Sequence, residues 1–116
     1  MDKKKKRIII CLVVAALAAV SLISQSVYIY NSNNAKLEAA TDSSLFRQRT
    51  NEENEKLLRE VVNMNLASEE KKLEAMTKLA TVYYLKQDYA LMIKTSIQAI
   101  YEAEKKKIFI MQLITT

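Results

Sequence analysis

The chain contains no glycine, proline, histidine or tryptophan, and one cysteine. A chain of 116 residues would on average hold about 14 glycines and prolines. Their absence disfavours tight turns that need positive φ, which argues against hairpins and for long helices. Without histidine the commonest general base is missing, and a zinc site would lack its commonest nitrogen ligand. Without glycine there is no phosphate-cradling loop of the nucleotide or dinucleotide type. Cys11 alone cannot form a disulfide within the chain, and it lies near the start of an apolar run, whereas a lipoprotein cysteine stands at the end of one. A small apolar residue facing lipid or a neighbouring helix is the reading that fits it.

A basic face is lacking too, although the net charge is +5. Lys3 to Lys6 and Arg7 against Asp2 give the first 30 residues a net +4, and the 13 basic and 12 acidic residues that follow leave +1. The excess therefore sits at one end. No stretch beyond Tyr30 interleaves arginine with aromatics as a nucleic-acid surface does, so no nucleic-acid partner is expected.

What is present begins with that basic segment, residues 1–7. No charged residue occurs between Arg7 and Lys36, and Ile8 to Ile23 is almost wholly apolar. As a helix, residues 8–30 measure about 34 Å at 1.5 Å per residue, enough to span a hydrocarbon core of about 30 Å. Tyr28 and Tyr30 fall at its far end, where aromatic rings prefer the headgroup layer. The positive-inside bias holds residues 1–7 in the cytoplasm and puts everything after Asn31 outside it, at the cell membrane. A cleavable signal peptide shares the basic start, and Ala16-Leu17-Ala18 or Ser24-Gln25-Ser26 offer small-residue sites. Cleavage after Ala18 would leave five further apolar positions, so the length favours a signal anchor.

Residues 31–50 read as a polar linker, with turn-favouring side chains at Asn31 to Asn34 and again at Thr41 to Ser44 around a weakly helical stretch. Thr50-Asn51-Glu52-Glu53 matches a capping box and opens a helix predicted over 51–67. Its Leu57, Leu58, Val61, Val62, Met64 and Leu66 recur at helical spacing and form a packing face. Ser68-Glu69-Glu70 is the next start signal, for a helix to about Lys86. Asp88 can cap a third, from Tyr89 to about Lys106. The fold class is all-α.

Leu79-Ala80-x-x-Tyr83-Tyr84-x-x-x-Asp88-Tyr89-x-x-Met92-Ile93, continuing to Ala99-Ile100, resembles one tetratricopeptide repeat, a helix-turn-helix unit of about 34 residues. With Leu73 as first position, Leu79 and Ala80 fall on that family's large-then-small pair, Tyr83 on its aromatic position and Ala99 on its late small residue. Met92 stands where a small residue is usual, Ser96 replaces an aromatic, Gln87 the turn glycine and Glu104 the terminal proline. The resemblance implies a helical domain over 51–116, packed through Leu79, Ala80, Tyr83, Met92 and Ala99. It also implies a ligand-facing concave side at Glu74, Thr77, Thr81, Tyr84 and Leu85. Two helices crossing closely need a small residue where their backbones approach, which is the part Ala80 would play.

The tail from Lys107 to Thr116 holds Ile108, Phe109, Ile110, Met111, Leu113 and Ile114, too short a run for a second span. One repeat length on from Met76, Leu79 and Ala80 lies Ile110, Leu113 and Ile114. The tail therefore has the register of a following first helix, expected to fold back onto Ile93, Ile97 and Ile100.

No catalytic constellation emerges. Glu52, Glu53, Glu55 and Glu60 lie among Lys56 and Arg59 on what should be a solvated face, without the burial that shifts a carboxyl pKa. No enzyme, metal, cofactor or small-molecule substrate is expected. The reading that remains is a membrane-anchored protein–protein interaction module, a scaffold or tether. Its expected partners are proteins, self-association included, and membrane lipid through the N-terminal helix. The alternatives are a structural single-pass subunit packing through Ala15, Ala16, Ala18, Ala19 and Ser21, and a secreted helical factor after signal cleavage.

Overall fold

Asp2 opens the first helix, its carboxylate accepting from the Lys4 amide at 3.4 Å. A computed structural model describes residues 2–115, and among these all regular structure is helical: α1 (Lys3–Thr41), α2 (Ser43–Gln48), α3 (Asn51–Val62), α4 (Glu69–Leu85) and α5 (Tyr89–Thr115). α1 has one segment long and apolar enough to cross a membrane, and none of that segment is buried against the rest of the chain.

The break expected at Asn31 to Asn34 does not occur. α1 runs straight through it, because two asparagine side chains that could have made local turns bond instead to distant backbone. Asn33 Nδ2 donates to the Leu66 carbonyl at 2.8 Å, and Asn34 Oδ1 accepts from the Ser68 amide at 2.8 Å. The stretch expected as a linker therefore belongs to the domain, with Leu37 and Ala40 fully buried. The second expected break is present, at Asp42, which ends α1 and whose side chain caps α2 through the Leu45 amide at 3.0 Å.

α3 starts as the capping box predicts, with the Thr50 hydroxyl accepting from the Glu53 amide at 3.2 Å. It stops at Val62, short of the expected Ala67. Asn63 turns its side chain onto the Arg59 carbonyl, and the chain bends so that Ala67 enters the core. Ser68 stands at the N-cap of α4 without a side-chain cap bond, so its expected capping hydroxyl is not used. The α4–α5 turn places Gln87 at φ 62, the one non-glycine with positive φ among the described residues. The Asp88 amide reaches the Tyr83 carbonyl at 2.9 Å and the Gln87 amide the Tyr84 carbonyl at 3.0 Å, a Schellman-type close. Asp88 then caps α5 through the Leu91 amide at 3.3 Å.

The core joins Leu37 and Ala40 of α1, Leu58 and Val61 of α3, and Ala75, Leu79, Val82 and Tyr83 of α4, with Leu91 and Met92 of α5 packed at its edge. α4 runs parallel to α1: Ser68 meets Asn34, and one turn on Lys71 pairs with Glu38. Two parallel helices in that register measure about 72 Å end to end at 1.5 Å per residue, against a long axis of 74 Å. α5 returns antiparallel, with Lys106 Nζ 3.0 Å from Glu70 Oε1.

The end of α5 departs from expectation. Instead of stopping near Lys106 and folding back, the helix continues to Thr115, and Ile93, Ile97 and Ile100 stay exposed. Physically, nothing between Lys105 and Thr115 stops a helix: no glycine, proline or capping pair intervenes.

Candidate interaction surfaces

Two aromatic rings join the α4 and α5 faces of the hairpin. Tyr84 and Tyr89 stack edge to face, with centroids 6.2 Å apart and planes at 66°, a preferred aromatic geometry. Around them the residues expected on the concave side, Glu74, Thr77, Thr81, Tyr84 and Leu85, are all exposed and share one face of α4 by helical register. Thr77 and Thr81 direct their hydroxyls to carbonyls of their own helix, those of Leu73 and Thr77, each at 3.0 Å.

The opposite face of the same helix is core. Leu79 and Tyr83 are buried, whereas Ala80 is half-buried on the side of α4 that carries Leu73 and Met76 toward α5. Met92 and Ala99 are half-buried on α5, with Met92 against the core. Burial pushes the Tyr83 phenol above its usual value, partly offset by the positive charge of Arg59.

The larger apolar surface lies on the outer face of α5. Tyr89, Ile93, Ile97 and Ile100 fall on one stripe at spacings of three and four, with Tyr101 beside it, and all are more than half exposed. These isoleucines lie on a face of α5 turned away from α4. The sequence errs in supplying their cover from the tail.

Two of the α3 carboxylates, Glu52 and Glu55, face a lysine at the end of α4. Glu55 Oε2 holds Lys86 Nζ at 2.6 Å, and Glu52 approaches the same ammonium at 4.0 Å. The hydrogen bond to Glu55 raises the Lys86 pKa above its usual value. This is an ion pair that ties α3 to the end of α4. Among the described residues no group of three or more His, Cys, Asp or Glu is placed to hold a metal.

Sequence reasoning missed the junction under α1. Arg49 places Nη2 3.1 Å from each of the Ala39 and Ala40 carbonyls, at the C-terminus of α1 where a cation is favoured. Its Nε donates to Asn54 Oδ1 at 2.7 Å, and the buried Asn54 amide donates onward to the Phe46 carbonyl at 2.9 Å. The available signal was Leu37-x-x-Ala40-Thr41, a short stripe at helical spacing inside a stretch that otherwise reads as polar. No family model, curated protein or solved structure matches the chain.

Proposed function

We propose that this protein is a membrane-tethered interaction module: α1 anchors it, and the helical domain presents α4 and α5 to a protein partner outside the cytoplasm. The observation that carries this reading is the uncovered stripe Ile93, Ile97 and Ile100. An apolar strip of this kind on a folded domain marks a contact surface. The hairpin is read as tetratricopeptide-like, supported by the small Ala80 on the side of α4 toward α5 and by a left-handed residue at the turn position. In such a unit the stripe is where the next helix would seat, so the partner is a protein that offers an amphipathic helix, from a second copy or another chain. The anchor adds effective concentration at the surface without any further contact.

The orientation rests on Lys3 to Arg7 before the apolar run. The continuity of α1 into Leu37 and Ala40 supports an anchor over a cleaved signal, since the helix that would cross the membrane also supplies core residues.

The test is site-specific photo-crosslinking of the full chain in its own membranes. Photoreactive residues at positions 93, 97 and 100 should give a discrete protein adduct, and those at Lys94 and Gln98 should give little. Equal yields at all five positions would overturn the reading. A reporter active only outside the cytoplasm, fused after Thr116, should be active, and activity solely from a cytoplasmic reporter would reverse the orientation.

A further inference from the structure

The last turns of α5 carry Ile108, Phe109, Ile110, Met111, Leu113 and Ile114, all exposed, with Ile114 at 77%. They point to more than one side of the helix, so they do not form a stripe of the kind that seats a single partner helix. Their height relative to α1 is what identifies their surroundings. Phe109 lies beside Glu69 at the start of α4, and Ser68 just before it is bonded to Asn34. Phe109 therefore stands level with about Ala35 of α1.

From there α5 continues away from the body of the domain, and Ile110 to Thr115 extend about 9 Å at 1.5 Å per residue. The same distance back along α1 from Ala35 ends near Ile29, between Tyr28 and Tyr30. The apolar tip thus descends to the level where the exposed tyrosines of α1 meet the headgroup layer.

Immediately above the tip stand three consecutive lysines, Lys105, Lys106 and Lys107. An apolar end beneath a cluster of lysines matches the order of a bilayer surface, apolar side below and phosphate at its edge, with the Lys105 and Lys107 stems long enough to reach down toward the headgroups while Lys106 pairs with Glu70. A protein groove would need an acidic rim as well as an apolar floor, whereas a bilayer surface supplies both. The charge order and the height together favour lipid.

We infer that the end of α5 dips into the same leaflet that α1 enters, giving the domain a second, non-spanning attachment to phospholipid. The attachment rests on the reading of α1 as a membrane anchor. Two points of contact fix the domain's rotation about α1, so the isoleucine stripe is held in a constant direction relative to the membrane. A single membrane helix, free to turn about its own axis, would not do this.

The experiment uses the full chain with Cys11→Ser, reconstituted in vesicles of phosphatidylcholine and phosphatidylglycerol. A single cysteine is introduced in turn by Ile114→Cys, Ile97→Cys and Val20→Cys and labelled with an environment-sensitive fluorophore. The label at 114 should be quenched by lipids brominated near the headgroup and protected from aqueous iodide, whereas the label at 97 should not be quenched by lipid. The label at 20 should be quenched by lipids brominated deep in the chains. A lipid-quenched 20 with an iodide-quenched 114 overturns the second attachment and leaves the anchor standing. A label at 114 protected from both quenchers assigns the tip to a protein contact and also overturns it. If 20 is not quenched by lipid, the anchor itself fails and the inference falls with it. Replacing Lys105, Lys106 and Lys107 together by Gln should weaken lipid quenching at 114 in vesicles containing phosphatidylglycerol, and an unchanged signal would remove the lysines from the attachment.

Discussion

Asn34 Oδ1 accepts the Ser68 amide at 2.8 Å, joining the helix that carries the apolar segment to the first residue before α4. The Asn33 bond to the Leu66 carbonyl lies beside it. These two bonds, with Leu37 and Ala40 in the core, fasten α1 to the domain.

Replacing Asn34 by Ala therefore leaves the Ser68 amide without its partner. A part-buried donor left unmade costs about 1–3 kcal/mol, and the exposure nearby places this one near the lower end. The expected result is a lower thermal midpoint in detergent and lost exchange protection at the Ser68 amide. Unchanged protection at Ser68 would show that the bond does not hold the junction.

Gln87 provides a change in the other direction. Its φ of 62 is in the left-handed region, where a side chain costs about 1–2 kcal/mol relative to glycine. Gln87→Gly should stabilise the hairpin by about 0.5–1 kcal/mol after the greater unfolded-state entropy of glycine is subtracted. Chemical denaturation should show a higher midpoint with an unchanged slope. A lower midpoint would mean that the turn gains more from the glutamine side chain than its backbone loses.

Ala80 tests the hairpin packing. It is half-buried on the α5 side of α4, next to an exposed Thr81. Ala80→Leu should destabilise by about 1–3 kcal/mol through overpacking, and Thr81→Leu by much less. Equal costs in thermal melts would favour a looser pair of helices than the tetratricopeptide-like reading implies.

Alkaline pH tests the α3–α4 contact. Tyr83 and Lys86 both have folded pKa values raised above their usual values, the first chiefly by burial and the second by its bond to Glu55. A raised folded pKa contributes stability that is complete below the unfolded value and is lost as pH rises through the folded one. Stability should therefore hold from pH 7 to about 9 and fall from about pH 10 upward, where these groups begin to titrate. Tyr83→Phe should make that fall shallower, and Lys86→Gln should lower stability at pH 8 but matter less at pH 11. A melt insensitive to pH between 9 and 11.5 would contradict both assignments.

Much of the architecture was legible because it depends on local chemistry. The Thr50 cap, the Asp42 break, the Asp88 cap and the length of the apolar run each follow from residues within a few positions of one another. Gln87 shows the limit of reasoning from absence: lack of glycine disfavours positive φ, but one tight turn takes it where the helices on both sides hold the backbone there. The ends of α1 and α5 were not legible for two different reasons. Asn33 and Asn34 look like turn residues until their partners at Leu66 and Ser68 are known. The tail has a packing register for Ile93, Ile97 and Ile100, but no residue in it makes the chain turn back.

By itself the sequence determined that this chain is helical, that one segment is long and apolar enough to cross a membrane, and where most helices begin. Those properties follow from composition, hydropathy and capping, which act over short distances along the chain. Only the tertiary structure decided that α1 continues into the core, that Arg49 and Asn54 close its C-terminus, and that α5 runs on to Thr115 without folding back. The first two depend on groups far apart in sequence meeting in space, and a bond such as Asn34 to Ser68 leaves no mark on local pattern.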